Sequence, residues 1–120
     1  MASVMALESK LRGQVEGDDV LVLELGEAAL DVKNAREFRD AACALMHNKA
    51  QVVFDMTGVR FVDSSGLGAL ISCLRHVRGN QGDMKLCSMS KPVRALFELT
   101  RMHRVFNIIE TRDEAVRSFA

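Results

Sequence analysis

Gln51-Val52-Val53-Phe54-Asp55, running on into Met56-Thr57-Gly58-Val59-Arg60-Phe61-Val62-Asp63-Ser64-Ser65-Gly66-Leu67-Gly68, decides the fold. Its first five residues are a nearly continuous apolar run without alternation. That pattern belongs to a strand buried on both faces, in the middle of an α/β sheet. A loop from Met56 to Asp63 follows. Beyond it Leu67, Leu70, Ile71, Leu74 and Val77 recur at three- and four-residue spacing, which predicts a helix ending near Gly79.

The same alternation extends outward on both sides. Val20 to Leu25 (VLVLEL) reads as a strand bounded by Glu16-Gly17-Asp18-Asp19 and by Gly26. Leu7 to Val15 reads as a weaker edge strand joined to it through that turn. Asn34 with Glu37 is a variant capping box, and Ala35, Phe38, Ala42, Leu45 and Met46 predict a helix from Ala35 to about His47. Towards the C-terminus, Met84 to Cys87 reads as a short strand, and Ser90 caps a helix with Pro92 in its first turn. Val105 to Ile109 reads as the last strand, and Thr111 with Glu114 boxes a terminal helix. Strands alternating with helices imply a mostly parallel sheet covered by helices, here about five strands and about four helices in a single α/β domain spanning residues 1–120.

Composition narrows the function. Sixteen basic and sixteen acidic residues cancel, and the chain has no Trp or Tyr. A nucleic-acid partner is therefore not expected, because phosphate neutralisation and base stacking both lack their residues. The 48% hydrophobic content of a 120-residue chain argues for a packed core over disorder. Met1 to Leu7 has neither the charged start nor the long apolar run of a signal peptide, and no run is long enough to span a membrane, so a cytoplasmic protein is expected. Cys43, Cys73 and Cys87 are odd in number, far apart and set in apolar stretches. They read as reduced core residues, with neither a metal nor a cofactor implied.

In open α/β sheets, functional sites lie on loops at the carboxyl ends of strands. The loop into Ser64-Ser65-Gly66 is the most distinctive of these. Amides at about Gly66, Leu67 and Gly68, with the positive end of the helix dipole, would accommodate a phosphate on Ser64 or Ser65, and Gly66 and Gly68 would keep side chains out of its way. Taken alone, Asp-Ser-Ser-Gly reads more simply as a helix cap contributing about 1 kcal/mol, with Ser65 as the capping residue. Met56, Val59, Phe61 and Val62 are loop hydrophobics, with Phe61 and Val62 expected beneath the loop. His47, His76 and His103 are isolated and read as surface or helix-end residues.

Val53 to Leu70 as a whole resembles the signature of STAS domains, whose members include bacterial anti-sigma factor antagonists. Asp31 to Arg39 (DVKNAREFR) resembles the Asp-containing helix entry of that family, and Ser88 to Phe106 with the terminal helix fits its remaining layout. Gly26-Glu27-Ala28-Ala29-Leu30-Asp31 departs from it, being longer than the usual Gly-Glu-x-Asp. The resemblance implies a non-catalytic switch domain of STAS fold. Ser64 matches the serine phosphorylated by a partner anti-sigma factor, a serine kinase, and dephosphorylated by a PP2C-type phosphatase. Unphosphorylated antagonist binds the kinase and so releases a sigma factor. Asp31, Asp63, Ser64, Ser65, Gly66 and Leu67 are then the expected partner-binding residues. A STAS scaffold of a signalling complex or transporter is one alternative. A Ser-dependent enzyme with His103 as base is the other, although no Gly-x-Ser-x-Gly elbow is present.

Overall fold

The computed structural model describes the backbone of residues 3–5 and all of residues 10–120. Six strands form one sheet in the order β1 (Ser3–Met5), β2 (Leu11–Glu16), β3 (Val20–Leu25), β5 (Gln51–Asp55), β7 (Asp83–Cys87) and β8 (Asn107–Ile109). The first two pairings are antiparallel and the other three parallel, giving the mixed sheet that the strand–helix alternation predicts. Two further strands, β4 (Ala29–Leu30) and β6 (Phe61–Val62), pair with each other in parallel, apart from the main sheet.

Helices α1 (Ala35–Leu45), α2 (Ser64–Gly79) and α3 (Lys91–Leu99) supply buried residues to one continuous core, together with Leu21, Leu23, Val52, Phe54, Met84 and Leu86 of the strands. Three successive crossovers on the same face make the strand order run in one direction. The Phe38 ring of α1 meets that of Phe54 at 5.2 Å between centroids. Burying such a ring stabilises by roughly 1.5–3 kcal/mol, so this contact anchors α1 to the central strand. Helix α4 (Arg112–Arg117) lies on the other face, where Ala115 and Val116 cover Val20, Val22, Val53 and Cys87. β5 is thus buried on both faces, as its lack of alternation requires.

Polar contacts hold α4 in place. Lys85 on β7, in register with Val53, donates from Nζ to the Ser118 hydroxyl at 2.6 Å and lies over the Phe119 ring. Arg112 donates to Glu16, to Glu24 Oε1 at 2.7 Å and to Asp55 Oδ2 at 3.2 Å. The hydrogen bonds from Arg112 hold the Glu16 carboxyl below its usual range, against the opposing effect of burial. For Arg112 itself burial works the other way, but the three carboxylates outweigh it and raise its pKa.

Several local expectations change. The strand expected over Leu7 to Val15 begins at Leu11, its first residues falling outside the described ones, and it is not the edge, because Ser3–Met5 pairs along it. The last strand starts two residues late, since Met102–Arg104 form a 3-10 turn entered through Arg101 at φ 60°. The loop from Met56 to Asp63 contains β6. Asn34 does not cap α1: its Oδ1 accepts from the Asp31 amide at 2.9 Å and its Nδ2 donates to the Ala29 carbonyl, so it ties the preceding turn instead. Among the described residues no helix is long and apolar enough to cross a membrane.

Candidate functional site

The β4–β6 ladder builds the site. Leu30 is in register with Val62, so the next residue on each strand, Asp31 and Asp63, emerges at the same end of the small sheet. The Asp63 amide donates to the Leu30 carbonyl at 3.3 Å and closes that end. Asp31 then shapes its own turn: its Oδ1 accepts from the Lys33 amide at 3.0 Å, and its carbonyl accepts from the amides of Asn34 and Ala35. Asp63 does more. Oδ1 accepts from the Gly66 amide at 2.9 Å, capping α2, while Oδ2 accepts from the Val32 amide at 3.1 Å. One carboxylate therefore fastens the α1 entry loop to the start of α2.

This corrects the expected distribution of free amides. Gly66 donates to the Asp63 carboxylate and Leu67 to the Asp63 carbonyl at 2.9 Å. The first-turn amides left by Asp63 are those of Ser64 and Ser65, the first two helical residues. Asp63 is the capping residue, and the role expected of Ser65 passes to it. Ser64 is exposed, and Ser65 is half-buried in the wall of a cleft of about 410 Å³ between α1 and α2. Arg36 and Arg39 of α1 line the opposite wall, with Val32 at the rim.

The two glycines also part company. Gly66 is buried, and a Cβ there would overlap the Leu30 carbonyl oxygen; it is required by the close approach of α2 to β4, not by a passing phosphate. A Cβ on Gly68 meets nothing within 4 Å, so this residue does leave open surface. Leu67 is half-buried against the core. The structure thus gathers Asp31, Asp63, Ser64, Ser65, Gly66 and Leu67 at one place, with Gly66 inside it and Ser64 on its surface.

Phe61 is where the sequence reading misses. Met56, Val59 and Val62 are buried, but Phe61 is 55% exposed and lines a small groove with Arg60, Pro92, Val93 and Leu96. The pleat explains it: adjacent residues of a strand face opposite ways, so burial of Val62 turns Phe61 outward. Val32, at 72% exposure, is a second apolar residue at the rim that the sequence reading did not single out. His103 is exposed in the 3-10 turn after α3. Among the described residues no three His, Cys, Asp or Glu side chains converge to hold a metal ion.

The site is therefore an exposed serine opening a capped helix, directly after the short parallel strand β6, at a loop–helix junction. The pattern that defines STAS domains matches residues 8–115, and the chain belongs to that family. The anti-sigma-B factor antagonist of Bacillus subtilis is 28% identical over 91 residues, covering 76% of this chain and 82% of its own. The solved STAS-domain anti-sigma-factor antagonist protein of Planctomyces limnophilus superposes with a TM-score of 0.80 at 24% identity, over 90% of this chain and 96% of that one. The Bacillus cell fate determinant SpoIIAA in its phosphorylated form shares the fold at a TM-score of 0.67 and 19% identity, over 92% and 99% of the two chains.

Proposed function

We propose that this domain is an anti-sigma factor antagonist, a partner-switching protein that binds an anti-sigma serine kinase while Ser64 is unmodified and lets it go when Ser64 is phosphorylated. Binding removes the anti-sigma factor from its sigma factor and so controls transcription; a PP2C-type phosphatase resets the switch, and all of this takes place in the cytoplasm. The observation that carries the reading is the placement of Ser64: exposed, at the first position of α2, beside an Asp63 whose two carboxylate oxygens are already engaged. The hydroxyl is accessible to a kinase, and the scaffold beneath it does not depend on it. The names of the relatives support the same reading, as does a relative whose structure is of a phosphorylated form. Asp31 and Ser65 flank the acceptor and would form the rest of the contact surface.

The test is binding to a purified anti-sigma kinase encoded by the same genome, measured without nucleotide turnover. Wild-type protein and Ser64→Ala should bind alike, and Ser64→Asp should bind at least tenfold more weakly. With ATP, the kinase should place one phosphate on wild type and none on Ser64→Ala. Equal binding of all three proteins would overturn the switch.

A further inference from the structure

Helix α3 buries Val93 and Phe97 in the main core and leaves a second apolar row in the open. Pro92, Leu96 and Leu99 recur at four- and three-residue spacing along its flank. Pro92 and Leu96 share a groove of about 190 Å³ with Phe61. Leu99 stands out at 82% exposure, the highest among the described large apolar residues. A lone exposed leucine is ordinary, but a row joined to an exposed phenylalanine marks a binding surface. Its rim is basic. Lys91 to Arg104 holds four basic residues and one acidic, Glu98, and Arg60 adds a fifth cation beside Phe61. The chain as a whole is neutral, so positive charge is concentrated around this row. Among the described residues Arg94 alone of the five is ion-paired, with Glu110 at 3.8 Å, and the other four are exposed.

An occupant has to answer both features. A second copy of this chain meeting through the same face would set basic rim against basic rim, which opposes a symmetric pair. Phosphate alone, as on a nucleic acid, would leave the apolar row in water. A folded acidic partner needs a carboxylate opposite each cation, whereas an anionic bilayer answers cations wherever they stand around the row. Here they are spread over three segments: Arg60 just before β6, Lys91 and Arg94 in α3, and Arg101 and Arg104 at the 3-10 turn. We propose that this face docks peripherally on an anionic lipid surface, Phe61 and Leu99 entering the headgroup layer and the basic side chains pairing with lipid phosphate. The long basic side chains suit that depth, their apolar stems lying along the row while the charges stay at the phosphates. Docking of this kind is reversible and weakens as salt screens the charges. The proposal does not rest on phosphorylation of Ser64.

The test is co-sedimentation of the full chain with extruded vesicles, either phosphatidylcholine alone or phosphatidylcholine with an equal part of phosphatidylglycerol. Binding to the anionic vesicles should be at least about tenfold tighter and should weaken as salt is raised. Leu99→Ser should lower it several-fold, and Lys91→Glu with Arg104→Glu by at least about tenfold. All three positions are exposed, and far-UV circular dichroism verifies the fold of each variant. Lys10→Glu with Arg117→Glu makes the same charge change at exposed positions elsewhere, before β2 and on α4, and should bind nearly as wild type. No binding to anionic vesicles would overturn the proposal, as would equal binding to both kinds. Equal losses from the two charge pairs would overturn it too, by reducing the effect to net charge. If wild type ignored vesicles while Leu99→Ser lost a purified anti-sigma kinase, the face would belong to a protein partner instead.

Discussion

Gly66→Ala and, separately, Gly68→Ala make the same chemical change in the same helix, and the structure assigns them opposite signs. In a helix interior, alanine is favoured over glycine by about 1 kcal/mol, because glycine loses more backbone freedom on folding. At Gly68 the added methyl meets nothing, so Gly68→Ala should stabilise by about 0.5–1 kcal/mol, or roughly 2–5 °C in Tm for a domain of this size. At Gly66 the methyl falls on the Leu30 carbonyl, with the carbonyl carbon at 2.8 Å and the Leu30 Cγ at 3.1 Å. That carbonyl is backbone, pinned by the β4–β6 ladder and by the Asp63 amide. Relief requires α2 to move off β4, which costs about 1–3 kcal/mol in overpacking and weakens an Asp63 cap contributing about 1 kcal/mol. The helix gain of about 1 kcal/mol offsets part of this. The net loss is about 2 kcal/mol, or roughly 6–10 °C in Tm. Urea unfolding followed by far-UV circular dichroism measures both variants, the chain having no Trp or Tyr to report by fluorescence. A Gly66→Ala protein as stable as wild type would refute the close packing of α2 on β4.

Arg112→Met should cost about 2–4 kcal/mol at pH 7, because three carboxylates lose their common cation and Asp55 is only 7% exposed. In wild type the lowered Glu16 pKa contributes stability that is complete above the ordinary glutamate value of about 4.3 and is lost as pH falls through the lower folded value. The variant lacks that contribution, so the gap between the two urea midpoints should narrow as pH falls below about 4.3 and through the lower folded value; a gap that stays constant there would contradict the assignment. Phe54→Ala should cost about 3–5 kcal/mol and Phe61→Ala less than about 1, the first ring being fully buried and the second turned outward; similar losses would mean that Phe61 is buried after all.

The fold was legible where one periodicity dominated a long segment. Gln51–Asp55 lacks alternation because both faces of β5 are covered, and α2 carries its apolar stripe over several turns. Reading failed where two or three residues decide the matter. β4 and β6 are too short to show a period, yet their ladder is what brings Asp31 beside Asp63. Asn34, Asp63 and Ser65 are all acceptable caps by type; the Gly66 amide selects Asp63 for α2, a long-range bond from the Val32 amide holds its carboxylate there, and Asn34 turns back to Ala29.

The geometry around Ser64 also bears on how a phosphate there would act. It would sit at the first helical residue, beside the amides of Ser64 and Ser65 and the positive end of a 16-residue helix, which favours an anion by about 0.3–1 kcal/mol. Asp63 opposes it by like-charge repulsion, but its carboxylate is held by the amides of Val32 and Gly66 and has no need to move. The two effects are of similar size, so modification of Ser64 should leave folding stability within about 1 kcal/mol of the unmodified protein. A partner docked over this surface faces a different balance. It must desolvate a charge of about −1.5 to −2 or leave it unpaired, which costs several kcal/mol where no cation answers it. The Ser64→Asp variant should therefore unfold at nearly the wild-type urea concentration while losing the partner. If it unfolded earlier by more than about 1 kcal/mol, loss of binding would report a damaged fold, and the reasoning from a rigid capped helix would fail.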